Sequence, residues 1–338
     1  MYSIEISEPK KLKIKDIPHT PSSKHLNIKV LASTICGSDL KMLAGEMEGI
    51  KYPLIPGHEW VGMVIDAPEG YKHLVGKRIV PDILYCCNHC SYCESELPNL
   101  CNTLEEPGLT LPGGFAEYTT LKPENAYEVP DNISNLEASL IEPLAVALYA
   151  LKRVQVNEND EVLIIGGGGI GQLIGQCAKL YKPKNITLVD NHDFRLNLGK
   201  SLFADKIINA KAEDLNGYFE NNKDLRPTKI FEVTGSLSGI KLSFSSAQKN
   251  AEIAIVGYSG DKKVDIKTSD FMVKHLTVKG VLSPTNTLPE AIKLAQRKEI
   301  NLAALITHQF TLQEAKKAFK TAGFCKHESL RVAFVNGI

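Results

Sequence analysis

A single tryptophan stands in 338 residues, aromatic side chains make up only 7%, and neither sign of charge is in excess, with Lys+Arg and Asp+Glu at 39 each. That balance lacks the basic excess of a nucleic-acid footprint, so no nucleic-acid partner is expected. No apolar run reaches the roughly 18 residues a membrane helix needs, so no membrane partner is expected either. The opening stretch MYSIEISEPKKLKIKDIP has no apolar h-region, and a secretory leader is not expected. Internal repeats and low-complexity segments are also missing. What is present suits two domains of ordinary size, and a hydrophobic fraction of 43% supports real cores.

Eight cysteines are present, five of them between Cys86 and Cys101. Cys87, Cys90, Cys93 and Cys101 follow a C-x2-C-x2-C-x7-C spacing. The two short steps bring three thiolates to one turn, and the longer loop returns the fourth, which is what a closed tetrahedral zinc site requires. A secreted disulfide framework fits poorly with the missing leader, so metal binding in a reducing, cytoplasmic compartment is expected. Cys86 competes with Cys87 for the site, but the register favours Cys87; His89 reads as a bystander.

The first part of the chain is strand-like, as in LNIKVLAS (Leu26 to Ser33) and EWVGMVID (Glu59 to Asp66). A helical pattern follows from Ser139 to Val154. Strands are then predicted at VLII, Ile186 to Asp190, Lys206 to Asn209, Lys229 to Gly235, Glu252 to Tyr258 and Leu276 to Leu282, with helical patterns between most of them. That alternation predicts an α/β chain with a doubly wound parallel sheet behind a β-rich unit. Helices at Leu288 to Arg297 and Leu312 to Phe319, and strands at LITHQF and LRVAFV, close the chain.

The run GGGGIG places Gly166, Gly168 and Gly171 at dinucleotide-turn spacing, with Gly169 and Ile170 between them, after a strand and before a helix. The first glycine permits the turn, the second lets backbone approach a pyrophosphate, and the third lets helix pack on strand. The helix N-terminus then offers N–H groups to phosphate. Asp190 ends the next strand, where a carboxylate accepts from ribose hydroxyls and repels a 2′-phosphate, so NAD is favoured over NADP; Arg195 nearby softens that preference. Thr234 and Gly257 close later strands and are expected along the cofactor groove.

Taken singly, Cys36 reads as a small buried hydrophobe, His58 as a satisfied imidazole and Glu142 as a helix-start acid. With Glu59 they offer a thiolate, an imidazole and two carboxylates, a mix that suits a catalytic zinc with an open position.

CGSDL, PLIPGHEWVG, the four spaced cysteines, PGGFAEY, LIEPLAVAL and GGGGIG occur in this order. The chain resembles the zinc-containing medium-chain dehydrogenases over essentially its whole length, most closely their polyol (sorbitol-type) and threonine dehydrogenase branches. The resemblance implies a GroES-like catalytic domain over residues 1–145 with a structural-zinc lobe, a Rossmann domain over 146–285, and a segment 286–338 returning to the catalytic domain. It makes Cys36 and His58 catalytic-zinc ligands, with Glu59 similar to the polyol branch's acidic ligand and Glu142 matching the EP-motif glutamate; their order is left open. Ser38 matches the hydroxyl that relays the substrate proton, and the cysteine quartet holds a second zinc. Lys41 stands where the family often carries a relay histidine, and either passes the proton or is a surface charge. Ser283 and Pro284 occupy positions where sorbitol dehydrogenases carry an Arg-Tyr pair, and VGKRIV stands where GDRV is usual.

The implied activity is transfer of hydride from a secondary alcohol of a polyol, cyclitol, aminocyclitol or sugar derivative to NAD, by a homo-oligomer, tetramer or dimer. A threonine 3-dehydrogenase-like activity is the alternative among enzymes. A dinucleotide-binding protein that has lost catalysis is the alternative of another class. Phe115 is open between bordering the substrate or nicotinamide and plain aromatic packing; Lys316, Lys317 and Lys320 read as a solvated face.

Overall fold

In the computed structural model, which describes residues 1–336, the chain divides into two units: Met1–Ala145 with the chain from Thr285 on, and Val146–Pro284. The boundary falls inside the helix Ile141–Val154.

The first unit is built on a seven-stranded sheet. Its path runs Ile306–Phe310, Arg331–Val335, Leu26–Thr34, Glu59–Asp66, Arg78–Pro81 and Ala126–Glu128, with Tyr118–Leu121 also paired to Leu26–Thr34. Period-two patterning turns Leu26, Ile28 and Val30 to one side, where they pack with Trp60, Val64, Ile79 and Leu121 in a core free of solvent. The last strand, Arg331–Val335, lies antiparallel to Leu26–Thr34, with Ala333 opposite Thr34. A second core joins that returning segment to the middle of the chain. Phe115 sits edge-on to Phe334 (5.1 Å) and Phe319 (6.0 Å), so it is a core aromatic with no exposed surface.

The second unit is a six-stranded, wholly parallel sheet in the order Lys206–Asn209, Asn185–Asp190, Glu161–Ile165, Lys229–Glu232, Glu252–Ile255, Thr277–Gly280. The strand order reverses direction beside Glu161–Ile165, the place where open α/β sheets bind ligands. Leu163, Ile165, Ile230, Ile253 and Phe244 share its core.

Several elements differ from the sequence expectation. The strand expected to Gly235 stops at Glu232, because the Glu232 carboxylate turns back to accept from the Thr234 and Gly235 amides at 2.9 and 3.1 Å. The strand expected to Tyr258 stops at Ile255, since the Val256 and Gly257 amides both converge on the Glu232 carbonyl. The helix expected from Ser139 starts at Ile141; Ser139 instead closes the short helix Asn135–Ala138. The last helix runs Ala315–Phe324, after a 3-10 turn Leu312–Glu314 capped by Thr311 and Glu314.

Candidate active site

Strand register assembles the first cluster. Thr34 lies opposite Glu59 in the antiparallel pair, so Cys36, just past one strand, and His58, just before the other, leave the sheet at the same end. Gly57 makes the approach possible: its φ is +96°, and a Cβ there would sit 2.4 Å from the Phe115 ring. Cys36 caps the helix Gly37–Ala44, where its amide donates to Asp39 at 2.8 Å. The donor atoms of Cys36, His58 and Glu59 all lie within 4.8 Å of one another. Ser38 Oγ stands 3.5 Å from His58 Nε2, and the other ring nitrogen is 3.9 Å from Asp39 Oδ1.

Each acid is held differently. Glu59 is 1% exposed and accepts from Arg331 at 2.7 and 2.8 Å through its two oxygens, and from the Thr34 hydroxyl. Glu142 is buried, lies outside the 4.8 Å group, and is pushed up to about 8, chiefly by burial; His58 pulls it down and Glu59 pushes it further up. Asp39 is fully buried, and burial pushes it up to about 6 against the pull of His58. Burial alone would lower the His58 pKa, but Cys36, Asp39 and Glu142 hold it well above the usual imidazole value. The thiol of Cys36, the imidazole of His58 and the carboxylate of Glu59, with Glu142 and Asp39 buried nearby, make a donor set that fits a zinc ion. Lys41 is half-buried in the same helix, one turn along from Ser38.

The second cluster is the cysteine lobe. The four sulfurs of Cys87, Cys90, Cys93 and Cys101 lie within 4.8 Å of one another, with Cys87–Cys93 at 3.9 Å and Cys90–Cys93 at 3.6 Å. A tetrahedron with Zn–S bonds of about 2.3 Å puts its sulfurs about 3.8 Å apart, so the quartet fits the ion. Backbone N–H groups of Cys87 and Thr103 bring Cys101 down to about 6, whereas burial pushes Cys93 up to about 12. Without a cation the four thiolates cannot all ionise. Cys86 stays outside, its thiol donating to the Pro98 carbonyl and pushed up to about 11 by burial. His89 Nδ1 donates to the Cys87 carbonyl at 2.7 Å.

The glycine turn of the second unit follows the strand Glu161–Ile165. Gly166 has φ +111°, and a Cβ on Gly171 would sit 1.9 Å from the Gly166 carbonyl oxygen, so helix and turn touch through backbone alone. Gly168 caps the helix Gly169–Leu180, whose first turn holds Ile170. Asp190 accepts from the Gly167 amide at 2.7 Å and from the His192 amide and ring at 2.9 Å each. Arg195 lies against Gly167, and Thr234 lies against Gly166. Gly257 packs instead on Gly235, where a Cβ would come within 2.0 Å of its amide.

Asp39, Arg331, Thr34 and His192 join these sites without being singled out by any sequence motif. Asp39 was legible in principle: an acid at the third position of a helix opening at Cys36 is a capping signal. Arg331 carried no local signal, being 272 residues from Glu59.

A β-rich unit with a thiolate–imidazole–carboxylate cluster, joined in one chain to a parallel sheet with a dinucleotide turn, defines a metal-dependent nicotinamide oxidoreductase. Residues 22–131 match the family described as Alcohol dehydrogenase GroES-like domain, and residues 169–297 match Zinc-binding dehydrogenase. The starvation-sensing protein RspB of Escherichia coli K12 is 33% identical over 94% of both chains. An L-threonine 3-dehydrogenase of Pseudoalteromonas atlantica is 30% identical over 88% of both, and a sorbitol dehydrogenase of Halalkalibacterium halodurans 29% over 89%. The crystal structure of an alcohol dehydrogenase (rspB) from E. coli CFT073, complexed with NADH, superposes with a TM-score of 0.92 at 32% identity, covering 99% of both chains. The chain belongs to the zinc-binding alcohol dehydrogenases. It is an NAD(P)-dependent enzyme of that class, and no helix among the described residues is long and apolar enough to cross a membrane.

Proposed function

We propose that the protein oxidises a secondary alcohol of a polyol, cyclitol, aminocyclitol or sugar derivative, with NAD as acceptor and two zinc ions per chain. The observation that carries this reading is the group of half-buried Cys36 with buried His58 and Glu59, and the Ser38 hydroxyl 3.5 Å from the imidazole. Cys36, His58 and one of Glu59 or Glu142 would hold the catalytic zinc, and Cys87, Cys90, Cys93 and Cys101 the structural one. Zinc at an open position supplies Lewis-acid polarisation of a bound hydroxyl, and a nicotinamide supplies the hydride acceptor.

The chain's own residues supply position and proton handling. Asp39 fixes the opening of the helix that carries Ser38, and it faces the far side of His58. Ser38 takes the hydroxyl proton and passes it outward past Lys41. Arg331 meets both oxygens of Glu59 and offsets the cost of burying that carboxylate. Asp190 accepts from the adenosine ribose hydroxyls, which favours NAD, while Arg195 moderates the discrimination against a 2′-phosphate.

A threonine 3-dehydrogenase-like reading is supported by the relative of that name and by Ser283 and Pro284, which offer no Arg-Tyr grip for an open polyol. A dinucleotide-binding protein without catalysis would need the Cys36 cluster to be vestigial, and the cluster retains every donor. We place the protein in the cytoplasm as a homo-oligomer, dimer or tetramer. Thr277–Gly280 is an edge strand of the parallel sheet among the described residues, and Val278 is exposed on it.

NADH formation at alkaline pH against polyols, cyclitols, sugar phosphates and L-threonine tests the reading. Turnover of a secondary alcohol supports it. If none is oxidised while both metals are bound, the proposed substrate class falls.

A further inference from the structure

Along the helix that Cys36 caps, the first unit carries a groove of about 800 Å³ that none of the candidate zinc ligands line. Its walls are the hairpin turn between Tyr2–Glu8 and Lys11–Asp16, the outer face of the helix Gly37–Ala44, and the last helix, Ala315–Phe324. The floor is apolar: Leu12, Leu40, Leu43 and Phe319, with Phe324 standing over one end at 82% exposure. Five lysines rim it, Lys10, Lys11 and Lys13 on the hairpin side and Lys316 and Lys320 on the helix side. No acidic side chain is among the lining residues. Glu8 pairs with Lys11 and offsets part of the charge, while the helix-side pair faces the groove from the opposite rim.

An apolar surface rimmed by charge of one sign is a binding feature rather than an ordinary surface, and its volume falls within the range of small-molecule sites. We propose that this groove binds an anionic amphiphile, a long-chain carboxylate whose alkyl chain lies on the leucines and phenylalanines while its headgroup meets the lysines. Chemistry favours that occupant over the others. All lining side chains other than the lysines are apolar, so a peptide's backbone amides would find no side-chain partners there. Two copies of this chain meeting face to face through the groove would oppose lysine rim to lysine rim. Lysine rather than arginine supplies every cation, giving mobile point charges that suit a single headgroup without a fixed fork. Their methylene stems extend the apolar walls.

The test is calorimetric titration of the full-length, zinc-loaded protein with sodium dodecanoate below its micelle concentration. One saturable site per chain is expected. Lys316→Gln/Lys320→Gln should weaken it by about tenfold, two surface charge contacts being removed. Phe324→Ser should weaken it through the tail, with the rim intact. Dodecyltrimethylammonium, with the same tail and the opposite charge, should show no saturable binding. Zinc content equal to wild type in each variant establishes that it is folded. Absence of saturable dodecanoate binding overturns the proposal. So does equal affinity for the cationic amphiphile, saturation accompanied by pairing of chains, or tighter capture of an acidic amphipathic peptide.

Discussion

Arg331 is the residue on which the metal-side electrostatics turn. It is 4% exposed, and its guanidinium meets both Glu59 oxygens. Removing one partner of a buried pair leaves the other charge uncompensated, which costs about 3–5 kcal/mol. Arg331→Met is therefore expected to lower stability by that amount in urea unfolding, and Arg331→Met/Glu59→Gln should recover much of it. Asp82 gives a pH signature away from the catalytic cluster. Burial pushes its carboxyl up to about 6 from 3.8, against a hydrogen bond from the Leu84 amide. A raised folded-state pKa means the folded protein holds the proton more tightly than the unfolded chain. Stability from this group is thus full below about pH 4, falls as pH rises to about 6, and is level above. Asp82→Asn should match wild type near pH 4 and exceed it by up to about 2–3 kcal/mol at pH 7. Denaturation midpoints across that range check the sign; a gap that widens toward acid would refute it.

Among the elements, the cysteine lobe and the glycine turn carry separate predictions. The lobe has only one-turn helices, Ser91–Glu94 and Pro98–Leu100, between its ligands, so its shape depends on the ion. Cys93→Ser should bring zinc from roughly two per chain to roughly one, with a clear fall in melting temperature. At the glycine turn, Gly171→Ala would force a Cβ to within 1.9 Å of the Gly166 carbonyl. The displaced turn should lower kcat/KM for NAD on the order of 10- to 100-fold, with zinc content unchanged. These two elements were also the most legible in sequence, because each is a short-range pattern whose spacing is its geometry. The strand Glu59–Asp66 and the strand Lys206–Asn209 were equally readable from periodicity. What could not be read locally depended on distant partners. Glu232 ends its strand by folding its own carboxylate back on the next turn, and Arg331 meets Glu59 only through the pairing of the last strand with Leu26–Thr34. Phe115 is open in sequence between lining a site and plain packing, and the choice is made by Phe319 and Phe334 from the last segment, which meet its ring edge-on.

For the whole molecule, balanced charge and a sequence pI near 7.1 predict little long-range pull on polyanions. A mobility-shift assay at low salt should show no retardation of DNA or RNA, and a salt-dependent shift would contradict that reading. The order of motifs made the fold class legible end to end, because the zinc-binding dehydrogenase pattern spreads over both units. Substrate was not legible, since Ser283 and Pro284 stand where the resembled sorbitol dehydrogenases carry an Arg-Tyr pair, so the sequence departs from the pattern there. The claim most exposed to test is that Cys36 and His58 hold a metal distinct from the one in the cysteine lobe. Zinc per chain after exhaustive dialysis, measured by elemental mass spectrometry on wild type and Cys36→Ser, decides it. The account predicts roughly two zinc ions in wild type and roughly one in the variant; the same number in both would contradict it.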